Sequence, residues 1–303
     1  MAAGGGNPVK AIAYAFLANL AIAIAKTVAA IFTGSSSMTA EAIHSYADTG
    51  NQVLLLLGMK RAQKPADREH PLGYGKLSYF WSFIVALLLF SLGGLYSLYE
   101  GYHKLGHTEP VQSLWIALVV LGLSIGLEAF SMWGCMKEVN KVRGKRTLWQ
   151  WLKESRNSEL VVVFGEDLAA LLGLVMAFVF LSIAGITGNG IWDAIGSMCI
   201  GTVLLVIALF VADRIKKLLI GRSADPELHD AVEEMIRDDD GVLNVFNVIT
   251  VQMGPKVMLA AKIQLEEGMP IEVACEKINR VEQELKRRFP EIGWCFVEPD
   301  VRE

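Results

Sequence analysis

The chain has 303 residues, 53% of them hydrophobic, a net charge of −4 and a mean hydropathy of +0.39. That is too apolar for an ordinary soluble domain of this length, and no basic patch with interleaved aromatics points to nucleic acid. The apolarity is uneven: 29 charged residues fall in 1–213 and 31 in 214–303. Residues 1–213 therefore read as a membrane domain and 214–303 as a soluble one.

The first ten residues lack a charged stretch followed by a short apolar core and a cleavage site. The first apolar segment is expected to be a retained span, not a cleaved signal. Six segments reach the roughly 20 apolar residues that a helix needs to cross a bilayer. They run over about 10–33, 38–62, 77–103, 111–136, 159–186 and 189–213. Gly34-Ser35-Ser36-Ser37 and Thr187-Gly188-Asn189 are short polar turns. The other connectors are basic: Lys60, Arg61, Lys64, Arg68 and Lys76 after the second span, and Lys137, Lys141, Arg143, Lys145, Arg146, Lys153 and Arg156 after the fourth. Arg214, Lys216, Lys217 and Arg222 follow the sixth, whereas the opposite loops hold only Lys104. Positive residues stay on the cytoplasmic side, so both termini and the soluble domain are expected there.

Ionisable groups at membrane depth are costly and mark functional sites. His44 and Asp48 lie four residues apart in the second span, on one helical face one turn apart. An imidazole and a carboxylate together suit zinc or a similar divalent ion; a His–Asp pair tying two helices together is the structural alternative. Glu166 and Asp167 interrupt the fifth span, Val161–Ala170. Adjacent helical positions diverge by about 100°, so the two acids do not readily point the same way. Asp67 and His70 in the second connector form a third candidate, with Gly73 and Gly75 allowing a tight turn before the next helix. Lys26 in the first span fits snorkelling to the interface, and Glu128 in the fourth fits a polar contact between helices. Neither is expected to bind metal.

Beyond residue 214, Asp225-Pro226-Glu227 opens a helix that runs to about Arg237. Val242–Val251 and Lys256–Gln264 have strand character around Met253-Gly254-Pro255. Pro270–Phe289 is an amphipathic helix with Ile271, Ala274, Ile278, Val281 and Leu285 on one side, and Trp294–Val297 closes as a short strand. The order α-β-β-α-β fits a small open-faced α/β sandwich, one that self-association would help to stabilise. Cys135, Cys199, Cys275 and Cys295 form no CxxC, and read as small hydrophobes without a disulfide framework or zinc knuckle.

Three features now combine: His44-x-x-x-Asp48 in the second of six spans, His70-Pro71-x-Gly73-x-Gly75-Lys76 before the third, and a tail ending Phe296-Val297-Glu298-Pro299. The chain resembles, over nearly its whole length, the cation diffusion facilitator family of divalent-metal transporters. Ala47-Asp48-Thr49-Gly50-Asn51-Gln52 and Glu166-Asp167-Leu168-Ala169-Ala170-Leu171-Leu172-Gly173 are similar to the branch containing the animal zinc transporter nine. The resemblance implies a homodimer, a ferredoxin-like cytosolic domain, a metal site between the second and fifth spans, and proton-coupled alternating access. It implies His44, Asp48 and Asp167 as ligands and Asp67 and His70 as a surface pair. With Val163 offering no lone pair, either water completes the shell or Glu166 contributes in at least one access state; an acid beside Asp167 in an apolar span favours Glu166. The chain departs from the family at Val163, where the usual partner of Asp167 would carry a ligand, and at Tyr74, which is His in some members. Gln264 and Phe296 stand where some relatives have His, so no binuclear site is expected in the cytosolic domain.

The expected function is proton-coupled export of Zn2+, or of Mn2+, Fe2+, Co2+ or Cd2+, from the cytoplasmic side of a bacterial inner membrane or an organelle membrane. The partners are the ion, protons, the lipid bilayer and a second copy of the chain; no resident cofactor is expected. The alternative is a non-transporting metal sensor or scaffold derived from the same family. ATP drive is not supported, because the chain has no Gly-x-x-x-x-Gly-Lys-Ser/Thr, and an intramembrane zinc protease would need His-Glu-x-x-His. A single cysteine placed at Gly188, in a variant lacking the native cysteines, should react with an impermeant reagent only from the non-cytoplasmic side. Labelling from the cytoplasm would invert the topology.

Overall fold

The computed structural model describes residues 7–33, 36–105 and 114–302, without the side chains of 29–30, 32–33, 36–44 and 47. The chain forms a multi-helical membrane domain followed by an α/β domain with a mixed sheet. The long helices are α1 (Pro8–Thr33), α2 (Ser36–Ala62), α3 (Leu77–Leu88) continuing through a π-helical stretch (Leu89–Leu95) into α4 (Tyr96–Lys104), and α5 (Leu114–Val142). The short α6 (Leu148–Glu154) precedes α7 (Ser158–Thr187) and α8 (Ile191–Ile220). Five spans among the described residues are long and apolar enough to cross a membrane. The sixth expected span coincides with α2, whose 27 residues suffice in length but include Glu41, His44, Asp48, Asn51 and Gln52.

Two features of the bundle were not expected from sequence. The third span is interrupted by the π-helical stretch, which carries Gly93 and Gly94; π geometry is uncommon and clusters at functional sites. A Cβ on Gly94 would collide with Leu205, and one on Gly201 would press on the backbone of Leu98, so bare glycines let this span and α8 approach closely. Small residues permit such packing where lipid gives no hydrophobic drive between helices. The second feature is α6, inside what read as a basic connector. Gln150 donates its N–H to the Thr147 hydroxyl at 3.3 Å, and the Gln150 side-chain oxygen accepts from the Thr147 N–H at 2.9 Å. This reciprocal capping starts the helix, and Trp151 buries beside Phe164.

The described residues divide into two compact units. The first gathers 1–60, 78–153 and 158–216, with α1, α5 and α7 packed on one another. The second joins 217–303 to the connectors 61–77 and 154–157. Within it, α9 (Pro226–Arg237) begins at Asp225, which accepts from the Glu227 N–H at 3.1 Å. Strand β1 (Val242–Met253) turns through Gly254, at φ +72°, into antiparallel β2 (Lys256–Leu265). Helix α10 (Ile271–Arg288) then crosses over to β3 (Ile292–Pro299), parallel to β2, in the order β1-β2-β3. Val232, Ile236, Leu259, Ile263, Val281 and Leu285 form the core between helices and sheet. The expected apolar side of α10 holds at Ala274, Val281 and Leu285, but Ile271, in its first turn, is exposed.

The two connectors are built into this second unit. Arg156 donates to the Ser223 carbonyl at 2.7 Å and the Ala224 carbonyl at 2.8 Å. Gly75 lies directly on the backbone of Met253 and Gly254, where no Cβ would fit. Leu259, fully buried in the core, is a test of the domain's packing. Leu259→Ala should destabilise it by about 2–5 kcal/mol, read as a lower urea midpoint of the domain signal in the detergent-solubilised full chain.

Candidate functional site

The second span sets three polar positions on one face: residues 44, 48 and 52, at successive turns. The side chain of His44 lies outside the described residues. Asp48 is partly buried, Asn51 and Gln52 are buried, and Thr49 donates back to the Ser45 carbonyl at 2.9 Å. Across from them, α7 presents Glu166, while Asp167 and Val163 lie on a different face of the same helix. Gly165 lets this stretch seat closely on Val211 of α8.

The two adjacent acids take different partners. Both oxygens of Glu166 accept from amides of α2, Asn51 Nδ2 at 3.1 Å and Gln52 Nε2 at 3.2 Å. Asp167, 1% exposed, accepts from Ser131 Oγ of α5 at 3.1 Å. The roughly 100° between neighbouring helical residues thus turns one acid to the second span and the other to the fourth. Val163, one turn before Asp167, is fully buried and has no lone pair to give. Glu128, 2% exposed, lies within electrostatic reach of Asp167, Asp48 and Lys26. Among the described residues, no three His, Cys, Asp or Glu side chains already converge at metal-binding distance. The arrangement is one of dispersed acids lining a helical interior, with the imidazole position outside the described set.

The sequence assigns Asn51 and Gln52 no role beyond the branch-similar segment, and Ser131 none at all, although each had a signal. Asn51 and Gln52 continue the polar run from Asp48 inside a span, and Ser131 stands three residues after Glu128, on the same side of α5.

The connector pair is brought together, but with other partners. His70 Nδ1 stands 3.8 Å from Asp67 Oδ1, and its ring lies 4.2 Å from that of Tyr74. Asp67 accepts from Lys64 Nζ at 2.9 Å, from the Tyr74 hydroxyl at 2.8 Å, and from the backbone N–H groups of Glu69 and His70 at 3.1 and 2.8 Å. The Lys64 ammonium, then the His70 N–H and the Tyr74 hydroxyl, hold the Asp67 carboxyl well below the usual carboxylate range. Hydrogen bonds to Tyr74 and Asp67 hold Lys64 above its ordinary value. A lysine ammonium stands where a surface metal would need lone pairs.

Comparison with known proteins agrees with this layout. Residues 12–219 match the cation efflux transmembrane domain, and residues 224–300 match the cytoplasmic domain of cation efflux proteins. The proton-coupled zinc antiporter SLC30A9, mitochondrial, of Xenopus laevis is 34% identical over 80% of this chain and 44% of its own length. Metal tolerance protein C4 of Arabidopsis thaliana is 30% identical over 82% of this chain and 55% of its own. The cation-efflux pump FieF of Pectobacterium carotovorum is 25% identical over 89% of this chain and 85% of its own. The chain thus spans about half the length of the first two relatives. With both of its parts matched between residues 12 and 300, the chain belongs to the cation efflux family of membrane transport proteins.

Proposed function

We propose that the chain exports a divalent cation, Zn2+ foremost, from the cytoplasmic side in exchange for protons. The observation that carries the reading is the buried Asp167 of the fifth span, set in a helical interior that Asp48 of the second span also lines. Relatives named as proton-coupled zinc antiporters support it. His44, Asp48 and Asp167 bind the ion. A metal ligand must be deprotonated to bind, so loading releases protons and protonation expels the metal. Opposed packings of the bundle open the site to each side in turn. Glu166, held by two amides, fixes α2 against α7 and stands next to the ion's path. The cytoplasmic domain joins two copies of the chain, and both termini face the cytoplasm.

The reading separates from a non-transporting sensor by flux into proteoliposomes. Asp167→Ala should abolish saturable Zn2+ flux in a chain that still folds; near-normal flux would exclude a site shared by the two spans. His70→Ala, at an exposed connector whose acid is already engaged by Lys64, should leave flux within about twofold, as for an ordinary surface substitution. Apparent Zn2+ affinity should weaken as the pH falls below about 6.5, where an ordinary histidine takes up its proton. An affinity constant from mildly acidic to mildly basic pH would rule out coupling through these ligands.

A further inference from the structure

Away from the ion's path, two helices of the membrane domain bring aromatic rings and cations together. In α6, Lys153 Nζ lies over the Trp149 ring, 4.8 Å from its centroid. In α8, the Arg214 guanidinium lies over the Phe210 ring at 5.0 Å. Both distances are within reach of a cation–π attraction, and in each pair the cation follows the ring by four residues, about one helical turn. The two pairs meet, because Trp149 and Phe210 stack at 5.3 Å with their planes 18° apart. One stacked aromatic platform thus carries two cations.

This stack is not needed to dock α6. Trp151 lies about 200° around the helix from Trp149; it is 2% exposed and meets the Phe164 ring of α7 edge-on. Trp149 is 55% exposed. An indole left open where charged residues begin sits at the level of lipid headgroups. Helix α8 is apolar up to Ala212 and becomes charged from Asp213, which marks that level.

The outer side of α8 has the layering of a phospholipid. One turn before Phe210 is Val206, 63% exposed, with Leu209, 57% exposed, near it. The helix therefore presents aliphatic, aromatic and cationic surface in the order of acyl chain, glycerol ester and phosphate. Charge points the same way. The acids of 143–154 and 210–217 are Glu154 and Asp213, set against Arg143, Lys145, Arg146, Lys153, Arg214, Lys216 and Lys217. Asp213 is shared between Arg214 Nη2 at 3.3 Å and Lys216 Nζ at 3.1 Å. Arg214 retains spare donors, and its Nε has no acceptor among the described residues. A guanidinium has five N–H groups in a planar fork that suits phosphate oxygens.

We propose that the Trp149–Phe210 platform binds one anionic phospholipid. Its acyl chain lies along Val206 and Leu209, its glycerol backbone covers the two rings, and Lys153 and Arg214 hold its phosphate. The lipid thereby ties the short helix α6 to the end of α8.

The test uses the full chain in detergent, stripped of lipid. It is titrated separately with phosphatidylglycerol, with phosphatidylcholine of the same acyl chains, and with inorganic phosphate, and native mass spectrometry counts the molecules retained. The parent should retain one phosphatidylglycerol per chain. Phosphatidylcholine should bind about fivefold more weakly or worse, roughly the worth of one surface charge, and inorganic phosphate in large excess should not displace the lipid. Lys153→Gln with Arg214→Gln should weaken phosphatidylglycerol about tenfold or more, two such charges being lost. The charge-matched pair Arg143→Gln with Lys145→Gln should change it by no more than about twofold, as ordinary surface substitutions do. Equal losses in the two double variants would mean a diffuse positive field and would overturn the site. Equal retention of phosphatidylcholine would reduce it to an apolar contact, and displacement by inorganic phosphate would make it a site for a soluble anion; either result overturns the proposal. Should the first double variant fail to fold, Lys153→Gln alone, at an exposed position, is read against the same outcomes with a loss of about fivefold.

Discussion

Burial of negative charge at membrane depth is the constraint on which the bundle turns. An acid in a lipid-facing position has no water to solvate it, and even a protein-facing one needs donors or a counter-charge. The chain answers with a different device for each acid. Glu166 receives two side-chain amides from a neighbouring helix, Asp167 receives a serine hydroxyl, and Glu128 sits within reach of a lysine. The amide and hydroxyl donors each tie one helix to another, so the buried polar groups also determine which helices touch. The glycines do the complementary work. At Gly94, Gly165 and Gly201 they bring backbones close where apolar side chains have no water to escape.

Much of the architecture is visible in the chain itself, because its periods and lengths are strong. Twenty-odd apolar residues between basic connectors leave little choice but a span, and the β-branched runs around Met253-Gly254-Pro255 fold into the two antiparallel strands they suggest. The parallel pairing of β3 with β2 follows from the α10 crossover between them. What was not legible depended on groups far apart in sequence. Nothing local shows that Asn51 meets Glu166, 115 residues away, or that Ser131 meets Asp167. The π stretch escaped because helical periodicity in an all-apolar run carries no phase. The helix α6 escaped because its seven residues are fewer than two periods, and its basic neighbours resemble any membrane-surface loop.

The connector carrying Asp67 and His70 shows a candidate metal pair whose acid already has other partners. The residue types and their spacing are those of a metal pair, and the fold does bring the two side chains together. Lys64, three residues before Asp67, nonetheless puts an ammonium on the carboxylate, and Tyr74 adds a hydroxyl to the same oxygen. The result is an ordered turn held by a permanent cation, which delivers Gly75 to the chain reversal between β1 and β2.

That close meeting of Gly75 with Gly254 has a consequence for how the protein is made. The two glycines are separated by roughly 180 residues, which at typical translation speeds is about ten to thirty seconds of synthesis. During that interval the 61–77 connector has already emerged, while its seat, the β1–β2 reversal, does not yet exist. The 154–157 segment waits likewise for residues 223 and 224. The second unit therefore cannot close during insertion of the early spans; it closes last, over connectors that have stayed open. A ribosome pausing between the sixth span and β1 would hold the nascent chain in a state with its spans inserted and its connectors undocked, the interval in which a chaperone or a protease would find them.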